Sequence, residues 1–379
     1  MSAAPEFQLS DGVNLQALPK VSLHDHLDGG LRPATIIELA PAAGVELPAD
    51  DPDELAEWFV AQSTSGSLVE YLKTFDLTTA VMQTADNLER IAREFVQDLA
   101  ADGVIYGEIR WAPEQHLAGG LTLDEAVEAV QSGIEQGIDD VESAGGYIRI
   151  GQLITAMRHA DRALEIAELA VRHRDSGAVG FDIAGAEAGF PPSRHRLAFD
   201  YLAAAHFPVT VHAGEADGLD SISGALVDGR ALRLGHGVRL AEDIETVRSD
   251  AENSYVALGE LSQWVKDREI PLELSPTSNL QTGAVQEWGD DLVDHPFDLL
   301  YQLGFRVTVN VDNRTMSGTS LTRELALLSD AFGYDLDDIE NFQVNAARAA
   351  FLPLEDREEL VEAILDGFED AAEGVRSAR

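Results

Sequence analysis

An apolar, β-branched segment followed by a helical pattern recurs eight times along this chain, and that alternation restricts its folds more than any other feature. The strand-like segments are VSLHDH (21–26), VIYGEIRW (104–111), YIRIGQLIT (147–155), AVGFDIAG (178–185), PVTVHAG (208–214), LRLGHGV (232–238), IPLELS (270–275) and FRVTVNVD (305–312). Amphipathic stretches such as LDEAVEAVQSGIEQGI (123–138) and ADRALEIAELAVRHR (160–174) lie between them. Strands that alternate with helices build parallel βαβ units. Eight such units close naturally into a ring, so the expected fold class is α/β, a (β/α)8 TIM barrel. An open doubly wound sheet needs no eightfold repeat and usually carries a Gly-rich first turn, which this sequence lacks.

No linker or low-complexity tract divides residues 1–379, which are read as a single barrel domain. The stretch 31–103 is too long for one βα connection. It carries three helical patterns, DPDELAEWFVAQ, SLVEYLKTFDLTTAVMQ and NLERIAREFVQDLA, and is expected to form a helical insertion that acts as a lid. A closing helix is expected over about 354–374.

Polar residues gather where the strands end: His24 and His26, Trp111 to Glu114, His212 to Glu215, His236, Ser278 and Asn279, Asp312 and Asn313. Barrel enzymes place their chemistry on that face. His24 and His26 are two apart on a strand, so both imidazoles can point the same way and share a metal. Two hydrogen-bonded histidines near a strand end are the plainer alternative. His212 ends a strand and Glu215 follows in the loop, although a structural histidine in a βα loop is equally ordinary. Glycines flank His236 and allow a ligand to approach closely. Asp312 and Asn313 end an apolar strand abruptly, as a turn-forming pair also would. The chain has no cysteine. Any metal must therefore sit among His, Asp and Glu, and three histidines with a carboxylate suit zinc.

The formal net charge is −42, and Lys20, Lys73 and Lys266 are the only lysines. A surface this acidic repels a phosphate backbone, so no nucleic-acid partner is expected. No apolar run is long enough to cross a membrane and no secretory signal begins the chain, which points to the cytoplasm. The expected partner is a small molecule; the oligomeric state is left open.

The ordered set SLHDHLDGGLRP, FDIAGAE, VHAGE, LGHGV, LSPTSNLQTG and VNVDNR, spread over about 19–367, resembles the adenosine/AMP deaminase family of the amidohydrolase superfamily. That resemblance implies one zinc ion per chain, held by His24, His26, His212 and Asp312. It makes Glu215 the donor of a proton to purine N1, and His236 the residue that orients and deprotonates the attacking water. Water would add at C6 and ammonia would leave, turning adenosine, or 2′-deoxyadenosine, into inosine or its deoxy counterpart. Substrate contacts carried over are His26, Asp28 to the ribose 5′ hydroxyl, the Gly185 amide to N3, and Asn313 to N7. Asn313 stands where many relatives have a second aspartate; an amide donates to N7 without needing an extra proton. Tyr71, Leu72 and Phe75 match an apolar lid or the buried stripe of a helix, and Met157 matches the base pocket or the core. His116, His173, His195 and His206 are expected at the surface or in loops, and His295 at a helix start. Adenine, AMP or a modified nucleoside remain alternative substrates, and a non-catalytic nucleoside-binding relative is a further alternative.

Overall fold

The computed structural model describes residues 7–10, 12–249 and 254–378, and all eight expected strands form in it. In chain order the strands are β1 (Lys20–His26), β2 (Val104–Trp111), β3 (Arg149–Met157), β4 (Ala178–Ala184), β5 (Thr210–Ala213), β6 (Arg233–His236), β7 (Ile244–Ser249), β8 (Ser254–Leu258), β9 (Leu272–Leu274) and β10 (Val307–Val309). Two parallel four-stranded sheets result, ordered β1-β2-β3-β4 and β10-β9-β6-β5. Single parallel bridges join them at both edges. Asp25 pairs with Asp312 at one seam, and Phe181 with Val209 at the other. At the first seam His26 N donates to the Asp312 carbonyl (2.8 Å) and Asp312 N to the His24 carbonyl (2.9 Å). The cycle of eight parallel strands is a (β/α)8 barrel.

The remaining pair, β7 and β8, is antiparallel and was not counted by the sequence reading. From Glu245 to Ser249 every residue of β7 is exposed, so neither face carries the apolar alternation that marks a strand.

Five helices occupy the stretch after β1: Pro33–Ala43, Pro52–Ser63, Leu68–Tyr71, Phe75–Val81 and Ala85–Ala101. The first was not among the three expected. Pro33 opens it favourably, but Pro41 interrupts its pattern from within. Helix Ala85–Ala101 belongs to the outer ring, packed along Leu123–Ser143. Gly133 makes that contact possible, since a Cβ there would sit 2.1 Å from the Glu89 carbonyl oxygen. Thr122 and Glu125 form a reciprocal capping box at the start of Leu123–Ser143, which fixes its first turn and contributes about 1 kcal/mol. The closing helix runs Leu354–Ala378, a turn longer than expected.

Inside the ring the filling is partly ionic. Arg110 contacts Asp182 (3.2 Å) and Glu273 (2.8 Å), and Arg233 contacts Glu273 (2.6 Å) and Glu108 (2.5 Å), all essentially without solvent exposure. Five charges in a dry interior hold one arrangement firmly, because displacing any one strands its partner.

Candidate metal and active site

The C-terminal ends of the strands bring the expected residues into one cluster. Period-two alternation on β1 sends His24 and His26 to the same side, and the seam described above lays Asp312 directly beside them. His212 arrives from β5 and His236 from β6. His236 (φ 63°) and Asp312 (φ 59°) both take the left-handed backbone conformation, uncommon for residues with a side chain. That conformation ends each strand sharply and turns the side chain across the barrel mouth. Gly235 lets this crowding occur, since a Cβ there would lie 3.1 Å from the His212 backbone.

Donor atoms of His24, His212, His236 and Asp312 lie within 4.8 Å of one another, a grouping able to hold a metal ion. His26 belongs to the same knot: its Nε2 is 3.2 Å from His212 Nε2 and 3.4 Å from Asp312 Oδ1. Contacts on the far side of each ring tell these imidazoles apart. His24 Nδ1 donates to Glu273 Oε2 (3.0 Å), and His212 Nδ1 lies 2.8 Å from Asp182 Oδ2. Both rings therefore turn an Nε2 lone pair inward, and His24 Nε2, fully buried, has no hydrogen-bond partner. His236 is the reverse. The Ser275 amide, necessarily a donor, faces Asn279 Oδ1 (3.4 Å), which turns Asn279 Nδ2 toward His236 Nδ1 (3.0 Å). His236 Nδ1 then accepts and its Nε2 carries the proton, so it offers an N–H rather than a lone pair.

Burial holds the His26 and His212 imidazoles well below the usual histidine range, so they are neutral. Burial and Arg110 press His24 the same way, but the neighbouring carboxylates of Asp312 (3.2 Å from Nε2) and Glu273 win and raise it. Burial would raise Asp312, yet His24, His236 and His26 around it keep the carboxyl well below its ordinary value. Convergent lone pairs around an ionised carboxylate are a cation-binding set, and N/O donors of this kind suit zinc among other divalent metals.

Glu215 sits 3.6 Å from His236 Nε2. Its carboxyl is raised well above the ordinary range, first by burial and then by the negative charges of Asp312 and Glu187. That shift favours the protonated, proton-donating form. Glu187 also fixes where that acid stands. Its carboxylate accepts the backbone amides of Gly214 (2.7 Å), Glu215 (3.1 Å), Ala216 (2.6 Å) and Asp217 (3.1 Å), and the Ser221 hydroxyl (2.6 Å). Sequence reasoning passed over Glu187, Asp182, Glu273 and Asn279 as individual actors. A signal existed for two of them, since Asp182 and Glu273 interrupt otherwise apolar strands.

A cavity of about 290 Å³ opens onto the cluster. Asp28, Gly185, Asn313, Met157 and His159 line it from the barrel, and Tyr71, Leu72 and Phe75 from the segment after β1. Among the described residues no lysine or arginine lines it. One oxygen each of Asp28 and Asn313 is buried without a hydrogen-bond partner. Burial pushes the Asp28 carboxyl up to about 7. Three histidines expected at the surface or in loops lie in turns or short connecting segments, but buried. His116 bonds the Met82 carbonyl (3.1 Å), His173 bonds Asp124 (2.8 Å), and His195 bonds the Arg158 carbonyl (2.8 Å). Each found a partner that only tertiary packing supplies. His295 is buried too, 3.3 Å from Asn279 Oδ1, and so helps orient the amide that sets the His236 tautomer.

A parallel eight-stranded barrel with imidazoles and a carboxylate converging at its C-terminal rim defines the class of metal-dependent hydrolases called amidohydrolases. Comparison narrows this. Residues 19–367 match the family described as Adenosine deaminase. "Adenosine deaminase 1" of Streptomyces coelicolor is 56% identical over 90% of this chain and 85% of its own length. The adenosine deaminase of Mycobacteroides abscessus is 51% identical over 94% of this chain and 96% of its own. The crystal structure of an adenine deaminase from Arthrobacter aurescens superposes with a TM-score of 0.78 at 26% identity, covering 92% of this chain and 98% of that one. The chain belongs to the adenosine deaminase family.

Proposed function

We propose that this protein hydrolyses the 6-amino group of adenosine, and of 2′-deoxyadenosine, giving the inosine nucleoside and ammonia. The observation that carries this reading is the pairing, around one cavity, of a cation-binding cluster with a buried Glu215 whose carboxyl is pushed toward its protonated form. His24, His26, His212 and Asp312 would hold the metal, read as one zinc ion. His236 lies as close, but its outward lone pair is used by Asn279. When bound, such a cation lowers the pKa of a water toward about 7 and so supplies a nucleophile at neutral pH.

The protein's own groups do the rest. Glu215 delivers a proton to N1, which drains electron density from C6 and makes it electrophilic. The His236 Nε2–H donates to the attacking oxygen and orients it; with Nε2 already protonated and Nδ1 held by Asn279, it does not take the water proton that the family resemblance led one to expect. Water's oxygen bonds to C6 while one of its protons replaces the one Glu215 gave up; the remaining hydroxyl proton passes to N6, the C6–N6 bond breaks, ammonia leaves, and the proton on N1 stays in the inosine lactam. Asn313 donates its amide to N7, the Gly185 amide meets N3, and Asp28 accepts the 5′ hydroxyl of ribose. The helical segment after β1 serves as the lid, with Tyr71, Leu72 and Phe75 excluding water from the base. Among the described residues no helix is long and apolar enough to span a bilayer.

Nucleosides are favoured over nucleotides by the cavity wall. A 5′-phosphate would meet Asp28 and no compensating cation. The test is the absorbance change of the purified protein with adenosine, 2′-deoxyadenosine, adenine and AMP, with and without chelator. Adenosine turnover that chelation abolishes is expected. Faster turnover of AMP or adenine, or activity indifferent to chelator, overturns the reading. Asp28→Ala should depress adenosine turnover and leave any adenine turnover unchanged.

A further inference from the structure

Acidic residues outnumber lysines and arginines by 68 to 26 in this chain. Yet the opposite end of the barrel, where the strands begin, holds a hollow of about 830 Å³ lined by seven arginines and only two acids, Asp175 and Glu269. Three of the seven are committed. Arg233 is buried in the interior network, Arg149 pairs with Asp356 (2.7 Å), and Arg306 pairs with Glu269 (2.6 Å).

The other four have no carboxylate within salt-bridge distance among the described residues. Arg174 donates to the Ala205 carbonyl (2.8 Å), Arg268 stacks 3.2 Å above the Trp264 ring, and Arg357 Nη1 donates to the Arg348 carbonyl (2.9 Å). Arg348 and Arg268 extend into solvent, and the Arg357 Nε is buried without a hydrogen-bond partner. Helix C-termini favour cations, which accounts for Arg174, Arg268 and Arg348 at the ends of their helices. It does not account for Arg357. That residue lies in the first turn of Leu354–Ala378, where the helix dipole opposes a positive charge.

We propose that this hollow binds a small polyvalent phosphate anion of the pyrophosphate or nucleoside-polyphosphate class. Guanidinium forks match phosphate oxygens in pairs, and four uncommitted forks around one hollow ask for several such oxygens at once. Its size is that of a small-molecule site. An acidic protein or a nucleic acid would feel the whole net charge of −42. A small anion inside the hollow, within a screening length of about 8 Å, feels mainly the guanidiniums.

The probe is inorganic pyrophosphate, titrated calorimetrically into the full chain at low ionic strength, with sulfate at matched ionic strength as control. Saturable binding is expected, tighter than sulfate. The double variant Arg348→Gln/Arg357→Gln should weaken it at least about tenfold, the loss typical of hydrogen bonds to charged groups. Arg268→Gln, at an exposed side chain with no hydrogen bond to lose, serves as a milder variant and should weaken it severalfold. Adenosine turnover should be unchanged in both, which shows that they fold. No pyrophosphate binding, affinity equal to sulfate, or binding that survives both variants overturns the proposal. The last result would place the anion on the metal cluster at the other end. Adenosine turnover, measured separately, tests the assigned activity independently of this hollow.

Discussion

The two ends of the barrel solve opposite electrostatic problems with the same strands. At the C-terminal rim, neutral imidazoles and the Asp312 carboxylate point lone pairs inward, where only a cation can satisfy them together. At the N-terminal end, guanidiniums collect with too few carboxylates to match them. The interior ion network lies between and touches both. Arg233 rises from the lower hollow to Glu273, whose other oxygen accepts from His24 Nδ1. The comparison teaches that charge in this fold is sorted by position along the strands. Acceptor-rich groups at the top perform chemistry, and cations at the bottom secure the structure and leave a surplus.

The sharpest way to break this contrast is metal removal. Chelation should abolish deamination, and added zinc should restore it, with metal content measured alongside the rate. Glu215→Gln comes next, with an expected loss of about 10²–10⁴-fold in kcat and unchanged metal content. In the wild type, kcat/KM should fall as pH rises past the elevated pKa of Glu215, because the donor must be protonated to act. A flat alkaline limb would remove it from that role. Asp182→Asn loosens the ring that presents His212 and should weaken metal affinity by about 10–100-fold, read by competition with a chelator. Glu187→Gln should lower kcat with little change in KM or metal content, since an amide cannot accept all the backbone N–H groups that now fix the Glu215 loop. The smallest effect on turnover belongs to Arg233→Met. It should cost about 3–5 kcal/mol of stability in denaturant melts, because Glu108 and Glu273 lose a buried partner, while kcat per folded molecule stays within about twofold.

Local pattern carried much of the fold. β1 and β2 fall within a residue of their expected bounds because apolar, β-branched runs ended by His or Trp admit little else. β9 and β10 are shorter than their segments: Ser275 ends the first, and beyond Val309 the chain keeps only single contacts, Asn310 with β9 and Asp312 with β1, as it reaches the rim. The pair β7–β8 was illegible because β7 is exposed from Glu245 to Ser249 and lacks a buried apolar face, and helix Pro33–Ala43 because of Pro41.

What the sequence determined by itself was the alternation of strand and helix, and hence the barrel and the rim where its polar residues gather. Tertiary structure decided how the imidazoles divide their work. The tautomer of His236 depends on Asn279, and the inward lone pairs of His24 and His212 depend on Glu273 and Asp182, partners far away in the chain. Strand patterns arise between neighbours and can be read from them. Proton placement is set by whichever group packing brings within 3 Å or so, and no local spacing records that.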